Sequence, residues 1–278
     1  MSSSALVAAD WLATHLHDEN VRVLDASFYL PTQNRDARAE YLERHIPGAI
    51  FFDVDEVADH AQGLPHMLPS PEQFERQVGQ LGIGSGNKVV VYDAEKFLAS
   101  ARAWWMFRTM GHDDVVVLDG GLSAWKALGQ PLEAGPVQLP PQMFHAHPRK
   151  LTFSLQDMLD NLRTQASQVV DVRSSGRFLG TEPEPRAGLR QGHIPGSLNL
   201  PFGELLEGNG RLKPSDQLAE RIRQSGLDLH RPIVASCGSG VSAAVLALAA
   251  HEAGKGDVAV YDGSWSEWGA RADTPVEP

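Results

Sequence analysis

A chain of 278 residues, 42% apolar and 21% charged, has room for one large domain or two ordinary ones around a real core. Its net charge of −11 argues against a nucleic-acid surface or an anionic membrane as partner, and no run approaches the length of a membrane span. The single cysteine excludes an internal disulfide, a CxxC redox pair and a zinc ribbon, and it fits a reducing compartment, here expected to be the cytoplasm.

The stretch Met1–Val7 lacks the basic and apolar regions of a signal peptide, and no arginine precedes Arg22, so no transit peptide is expected. Val21–Asp25 reads as a strand ending in an acid, and His45-Ile46-Pro47-Gly48 as a turn. Ser70-Pro71-Glu72-Gln73 opens a helix, with Ser70 as cap and Pro71 at the first helical position. Gly82–Lys88 imitates a phosphate loop but precedes a strand instead of following one, which makes it a plain turn. Val89–Tyr92 is the next strand and ends at Asp93. Trp104–Phe107 reads as core, and Leu118-Asp119-Gly120-Gly121 with Trp125 closes the first half. The proline-rich, aperiodic stretch that follows marks a linker over residues 136–150. Ser154 then caps a new helix start.

From there the chain repeats itself. Gln168–Val172 matches Val21–Asp25, and His193-Ile194-Pro195-Gly196 returns 148 residues after His45. Ile233–Cys237 lines up with Val89–Asp93 at an offset of 144, and Trp268 with Trp125 at 143. Collinear matches with slowly drifting offsets indicate duplication. The expected fold class is α/β, with two duplicated domains over residues 1–135 and 151–278. Each alternates strands and helices into a mainly parallel sheet flanked by helices.

The halves differ at one position. The first carries Asp93 where the second carries Cys237, so only the C-terminal domain has a nucleophile. Pro232–Ala235 reads as a buried strand and Ala243–His251 as a helix, which places Cys237 in the connecting loop, Cys237-Gly238-Ser239-Gly240-Val241-Ser242. A thiol there faces backbone N–H groups and the positive end of a helix dipole, and both favour the thiolate. A cysteine phosphatase would need an arginine six positions later; Ala243 stands there. The 11 histidines are scattered without ligand spacing, so neither a metal nor any other cofactor is expected. His45 and His193 occur in both halves and are read as turn-fixing residues.

Through both His-Ile-Pro-Gly motifs, both Asp-Gly ends and the Cys237 loop, the chain resembles the tandem-domain sulfurtransferases of the rhodanese superfamily. Within it, the loop is similar to the branch that takes sulfur from 3-mercaptopyruvate. The thiosulfate-specific branch carries basic residues directly after the cysteine, where this chain has Gly238 and Ser239. Ser242 stands where the family most often has Thr and keeps the hydroxyl. The resemblance implies two rhodanese-like domains and a Cys237 persulfide, cradled by Gly238, Gly240, Val241 and Ser242 and passed to a thiol acceptor such as thioredoxin or a small thiol, or to cyanide. It further implies that Arg177 and Arg186 grip the donor, and that Asp55, His66 and Ser239 form a proton relay. A planar guanidinium suits the carboxylate and ketone of the mercapto acid, whereas compact thiosulfate would want point charges in the loop itself. Thiosulfate:cyanide transfer and a non-catalytic persulfide carrier are the two alternative readings, and Glu182 and Glu184 are candidate neutralisers of the arginines.

Overall fold

The computed structural model describes residues 4–30, 33–61, 63–94 and 98–278; Met1–Ser3 of the N-terminal stretch lie outside them. In the first half the elements run β1 (Leu6–Val7), α1 (Ala9–His15), β2 (Val21–Asp25), α2 (Ala37–Glu43), β3 (Ile50–Phe51), α3 (Pro71–Gln80), β4 (Lys88–Tyr92), α4 (Ala99–Thr109), β5 (Val115–Leu118) and α5 (Gly121–Ala127). In the second they run β6 (Thr152–Phe153), α6 (Leu155–Thr164), β7 (Gln168–Asp171), α7 (Ser175–Phe178), β8 (Leu198–Asn199), α8 (Ser215–Gln224), β9 (Ile233–Ser236), α9 (Ala243–Glu252), β10 (Ala259–Tyr261) and α10 (Ser264–Trp268).

The sheets have strand orders β1-β5-β4-β2-β3 and β6-β10-β9-β7-β8, one the copy of the other, and the strand pairs are parallel. Their central strands read as near-continuous Val and Ile runs because helices cover both faces. Helix starts follow the expected chemistry. Ser70 accepts from the Gln73 amide with Pro71 behind it, and Ser154 forms a reciprocal capping box with Asp157.

The halves share one core. Helix α9 is buried from Ala243 to His251 and α4 over nearly its whole length, Trp104–Phe107 included. The two pack against each other, and side chains of both halves join a single apolar cluster. A helix buried all round has no need of a polar face, hence the alanine-rich composition of α9. The halves also exchange loops. The Leu68 amide of the first donates to Asp262 behind β10 at 2.6 Å, while Arg211 of the second lies 3.7 Å from Asp119 behind β5.

Two expectations are refined. The segment after Gly135 is a strap tied along the first half: Val137 N–H donates to Tyr41, Gln142 N–H to Gly79 O, His145 N–H to Ser85 and His147 N–H to Met110 O. His45 and His193 do serve as turn supports, stacked on Tyr41 and Phe178 with Nδ1 at the carbonyls of those residues.

Asp93 occupies the backbone position of Cys237: its carbonyl accepts from Leu122 N–H as that of Cys237 accepts from Trp265 N–H. Its carboxyl takes the amides of Leu98 and Ser100 and the Ser100 hydroxyl. Burial outweighs these bonds and raises its pKa from 3.8 to about 7. The raised value means that the folded state holds the proton more tightly. The ionised form therefore costs stability, increasingly as pH rises from about 4 to about 7 and constantly above that. Asp93→Asn, which keeps the acceptor and drops the charge, should gain stability over the parent across that window in urea melts. Parallel stability profiles of the two proteins between pH 4 and 8 would contradict this.

Candidate active site

Cys237 follows β9 and is buried, with its Sγ accepting the Gly240 amide at 3.1 Å. The start of α10 supports the loop from behind. Ser264 Oγ accepts the Cys237 amide at 3.1 Å, donates to Tyr261 O at 2.8 Å and lies 4.0 Å from Sγ. The Cys237 carbonyl accepts from Trp265 N–H at 3.0 Å, and the Gly238 carbonyl from Ser266 N–H at 2.8 Å and its hydroxyl at 2.7 Å. The loop backbone is thereby fixed on the side that faces α10.

Gly240 has φ +82°, and a Cβ there would come within 2.8 Å of Asp262 O and 3.3 Å of Arg102 Nη1. No other residue type fits without moving the amide that holds Sγ. Those two neighbours are the junction of the halves. Arg102, fully buried on α4, meets Asp262 Oδ1 at 2.7 Å, donates to His66 O at 2.5 Å and reaches Gly240 O at 3.4 Å. Its guanidinium lies 4.5 Å over Trp105.

That junction carries the loop of the first half onto the site. His66 is buried with φ +60°, and Ser264 on the opposite side has φ +48°. Left-handed backbone at non-glycine residues costs about 1–2 kcal/mol each, so both are held by their surroundings. His66 Nδ1 stands 2.5 Å from Asp55 Oδ1, its Nε2 stands 3.5 Å from Arg186 Nη2, and its ring meets Phe28 edge-on. The His66 ring holds the Asp55 carboxyl below the usual carboxylate range.

The arginines converge from the other side. A Cβ on Gly238 would stand 3.1 Å from Arg177 Nη2 and 3.9 Å from Arg186 Nη1. Arg177 also pairs with Glu184, which accepts from Nη2 at 2.6 Å and from Nε at 3.3 Å. Glu184 in turn binds Arg173 at 2.7 Å, and Arg173 is locked by Asp171, Gly192 O and the face of Trp265. Glu182 instead accepts from the Ser174 hydroxyl.

The structure thus brings Asp55, His66, Arg186, Arg177 and the Cys237 loop together. It does not join Ser239 to the histidine. Ser239 is buried in the loop, and its hydroxyl forms no hydrogen bond among the described residues. Nor does it cap α9, whose N-cap position is Ser242. Sequence reasoning missed Arg102, Asp262, Ser264, Ser266 and the orienting role of Glu184. Asp262 and Ser264 were visible only as part of a repeated Asp-Gly motif, and Arg102 carried no signal at all.

Breaking the junction from one side tests its weight. Arg102→Met leaves Asp262 buried without its cation, and chemical denaturation should show a loss of about 3–5 kcal/mol. A loss below about 1 kcal/mol would reduce the pair to an incidental contact.

Comparison with known proteins places this geometry. The rhodanese-like domain model matches residues 8–128 and again 154–271. The chain is 46% identical to 3-mercaptopyruvate sulfurtransferase of Homo sapiens, over 96% of this chain and 93% of that one. It is also 46% identical to thiosulfate sulfurtransferase of Bos taurus, again over 96% and 93%. The crystal structure of a 3-mercaptopyruvate sulfotransferase from Escherichia coli superimposes with a TM-score of 0.87 at 40% identity, covering 95% of this chain and 99% of that one.

Proposed function

This chain belongs to the rhodanese-like family as a tandem pair of its domains, and we propose that it is a 3-mercaptopyruvate sulfurtransferase working through Cys237. Residues 1–135 are taken as the non-catalytic domain, 136–150 as the strap and 151–278 as the catalytic domain. Since relatives of equal identity carry both donor names, overall similarity does not choose the donor. The observation that carries the choice is local: the loop has no cation at Gly238 or Ser239, while two guanidinium groups flank Gly238 from outside.

In the proposed reaction the Cys237 thiolate attacks the sulfur of 3-mercaptopyruvate. The S–S bond forms as the C–S bond breaks, and the bonding pair leaves as the enolate of pyruvate. The proton of the outer sulfur passes to the enolate carbon, which completes pyruvate and leaves a Cys237 persulfide anion. That anion takes the amides of the Gly238–Ser242 loop, Gly240 foremost, as oxyanion-hole donors would. Arg177, oriented by Glu184, and Arg186 hold the carboxylate and ketone.

His66 is the proton carrier. With Nδ1 turned to Asp55, its Nε2 faces the arginines and the substrate. Ser239 does not touch His66, and its part in the relay is to turn its unengaged hydroxyl to the outer sulfur, with the bound donor bridging the two. An acceptor thiol, thioredoxin or a small thiol, attacks the outer sulfur and restores the thiolate, and cyanide serves in an assay. The single buried cysteine and the persulfide it carries suit a reducing compartment, and we place the enzyme in the cytoplasm. Among the described residues, no helix is long and apolar enough to cross a membrane.

Steady-state kinetics with two donors test this reading. The parent should favour 3-mercaptopyruvate over thiosulfate by at least ~10-fold in kcat/KM, on the order of one charge-assisted hydrogen bond. Arg177→Lys should raise KM for mercaptopyruvate by roughly the same factor. His66→Ala and Ser239→Ala should cost roughly 10²-fold with mercaptopyruvate and far less with thiosulfate, which has no proton to move. Equal efficiency with both donors, or equal losses in the variants, would overturn the assignment.

A further inference from the structure

The two halves superimpose turn by turn behind their second strands. Ser27 N–H donates to Asp25 as Arg173 N–H donates to Asp171, both at 2.9 Å, and Leu122 stands where Trp265 stands. In the second half this space is full: the Arg173 guanidinium grips Asp171 and lies 4.3 Å over the Trp265 ring. In the first half both fillers are cut back, Arg to Ser and Trp to Leu. What remains is a cavity of about 180 Å³ over Asp25, Ser27 and Leu122.

The rim has changed in the opposite sense. The glycines Gly192 and Gly269 of the second half are replaced by Arg44 and Lys126, and both line the cavity. Neither is in an ion pair among the described residues. Burial lowers the Lys126 pKa and the nearby Arg44 charge lowers it further, while Glu40 acts in the opposite sense. The wall opposite holds Glu40, which is bonded to Arg35 and Tyr29 and offsets only part of the rim charge through space. On the floor, Asp25 is kept towards its neutral form by burial, and its Oδ1 accepts from both the Ser27 amide and the Ser27 hydroxyl. The opening lies beyond the carboxyl ends of β2 and β4, the switch point of the first sheet, where α/β sheets bind ligands.

We propose that the N-terminal half retains a non-covalent binding site for a small carboxylate of pyruvate's size, held at the rim by Arg44 and Lys126 over the cavity left by the missing guanidinium and indole. A carboxylate there relieves two facing cations and fills space that no side chain occupies. The site does no chemistry, since Asp93 stands in the nucleophile's place. Its occupancy is independent of the donor assignment for Cys237.

Titration of the full chain with pyruvate, read as heat or as chemical-shift change, tests this. The parent should bind two equivalents, one weakened by about 10-fold in Arg177→Lys and the other by about 10-fold or more in Lys126→Ala, the scale of one charge-assisted contact. Ser27→Arg, which rebuilds the twin's filler, should remove that second equivalent while sulfur transfer continues. If Ser27→Arg does not fold, the surface variant Lys126→Ala decides alone. A parent that binds only the equivalent sensitive to Arg177, or a second equivalent unaffected by Lys126→Ala, overturns the proposal.

Discussion

The buried pair of Arg102 and Asp262 is the contact on which the site depends. Removing two charges from water is expensive, and the cost is offset only where hydrogen bonds satisfy both groups. Arg102 has the carbonyls of His66 and Gly240 as well as Asp262, and Asp262 also has the Leu68 amide. One guanidinium from the first half thereby sets the loop that carries the nucleophile and the loop that carries the histidine. A catalytic half without its partner would lack His66, Asp55 and the clamp on Gly240. This is a physical reason for the inert half to remain attached.

The duplication has diverged by moving charge. In the second half a buried chain of acids and guanidiniums, Asp171–Arg173–Glu184–Arg177, runs from the sheet to the thiol loop. Its inner members are satisfied by one another, so the outer guanidinium is held in place with spare donors facing Gly238. In the first half the corresponding positions lack the buried arginine, and the nucleophile's place is filled by a carboxyl that binds the local amides itself. Asp93 fills that place as a buried carboxyl whose charged form the fold disfavours, because desolvation raises its pKa to about 7.

Much of this was legible in the chain, because the determinants are local. The caps at Ser70 and Ser154, the Val-rich strands and the alanine-rich α9 each follow from side-chain chemistry over a few residues. The placement of Cys237 between β9 and α9 followed from the same periodicity. Residues 136–150 read only as a linker because their prolines signal the absence of regular structure, not the bonds that strap the segment to Gly79 and Met110. Arg102 was illegible for a similar reason: it sits in an apolar helix, and its partners lie far away in sequence. The grouping of His66 with Asp55 came from family resemblance, and only the fold gives it a distance.

The central claim is that Cys237 accepts one sulfur atom from 3-mercaptopyruvate as a covalent persulfide. Intact mass spectrometry of the full chain after brief mixing with that donor measures it directly. The account predicts a gain of one sulfur atom, reversed by dithiothreitol, accompanied by one pyruvate per chain and absent from Cys237→Ser. An unchanged mass while pyruvate accumulates, or a gain that persists in Cys237→Ser, would contradict it.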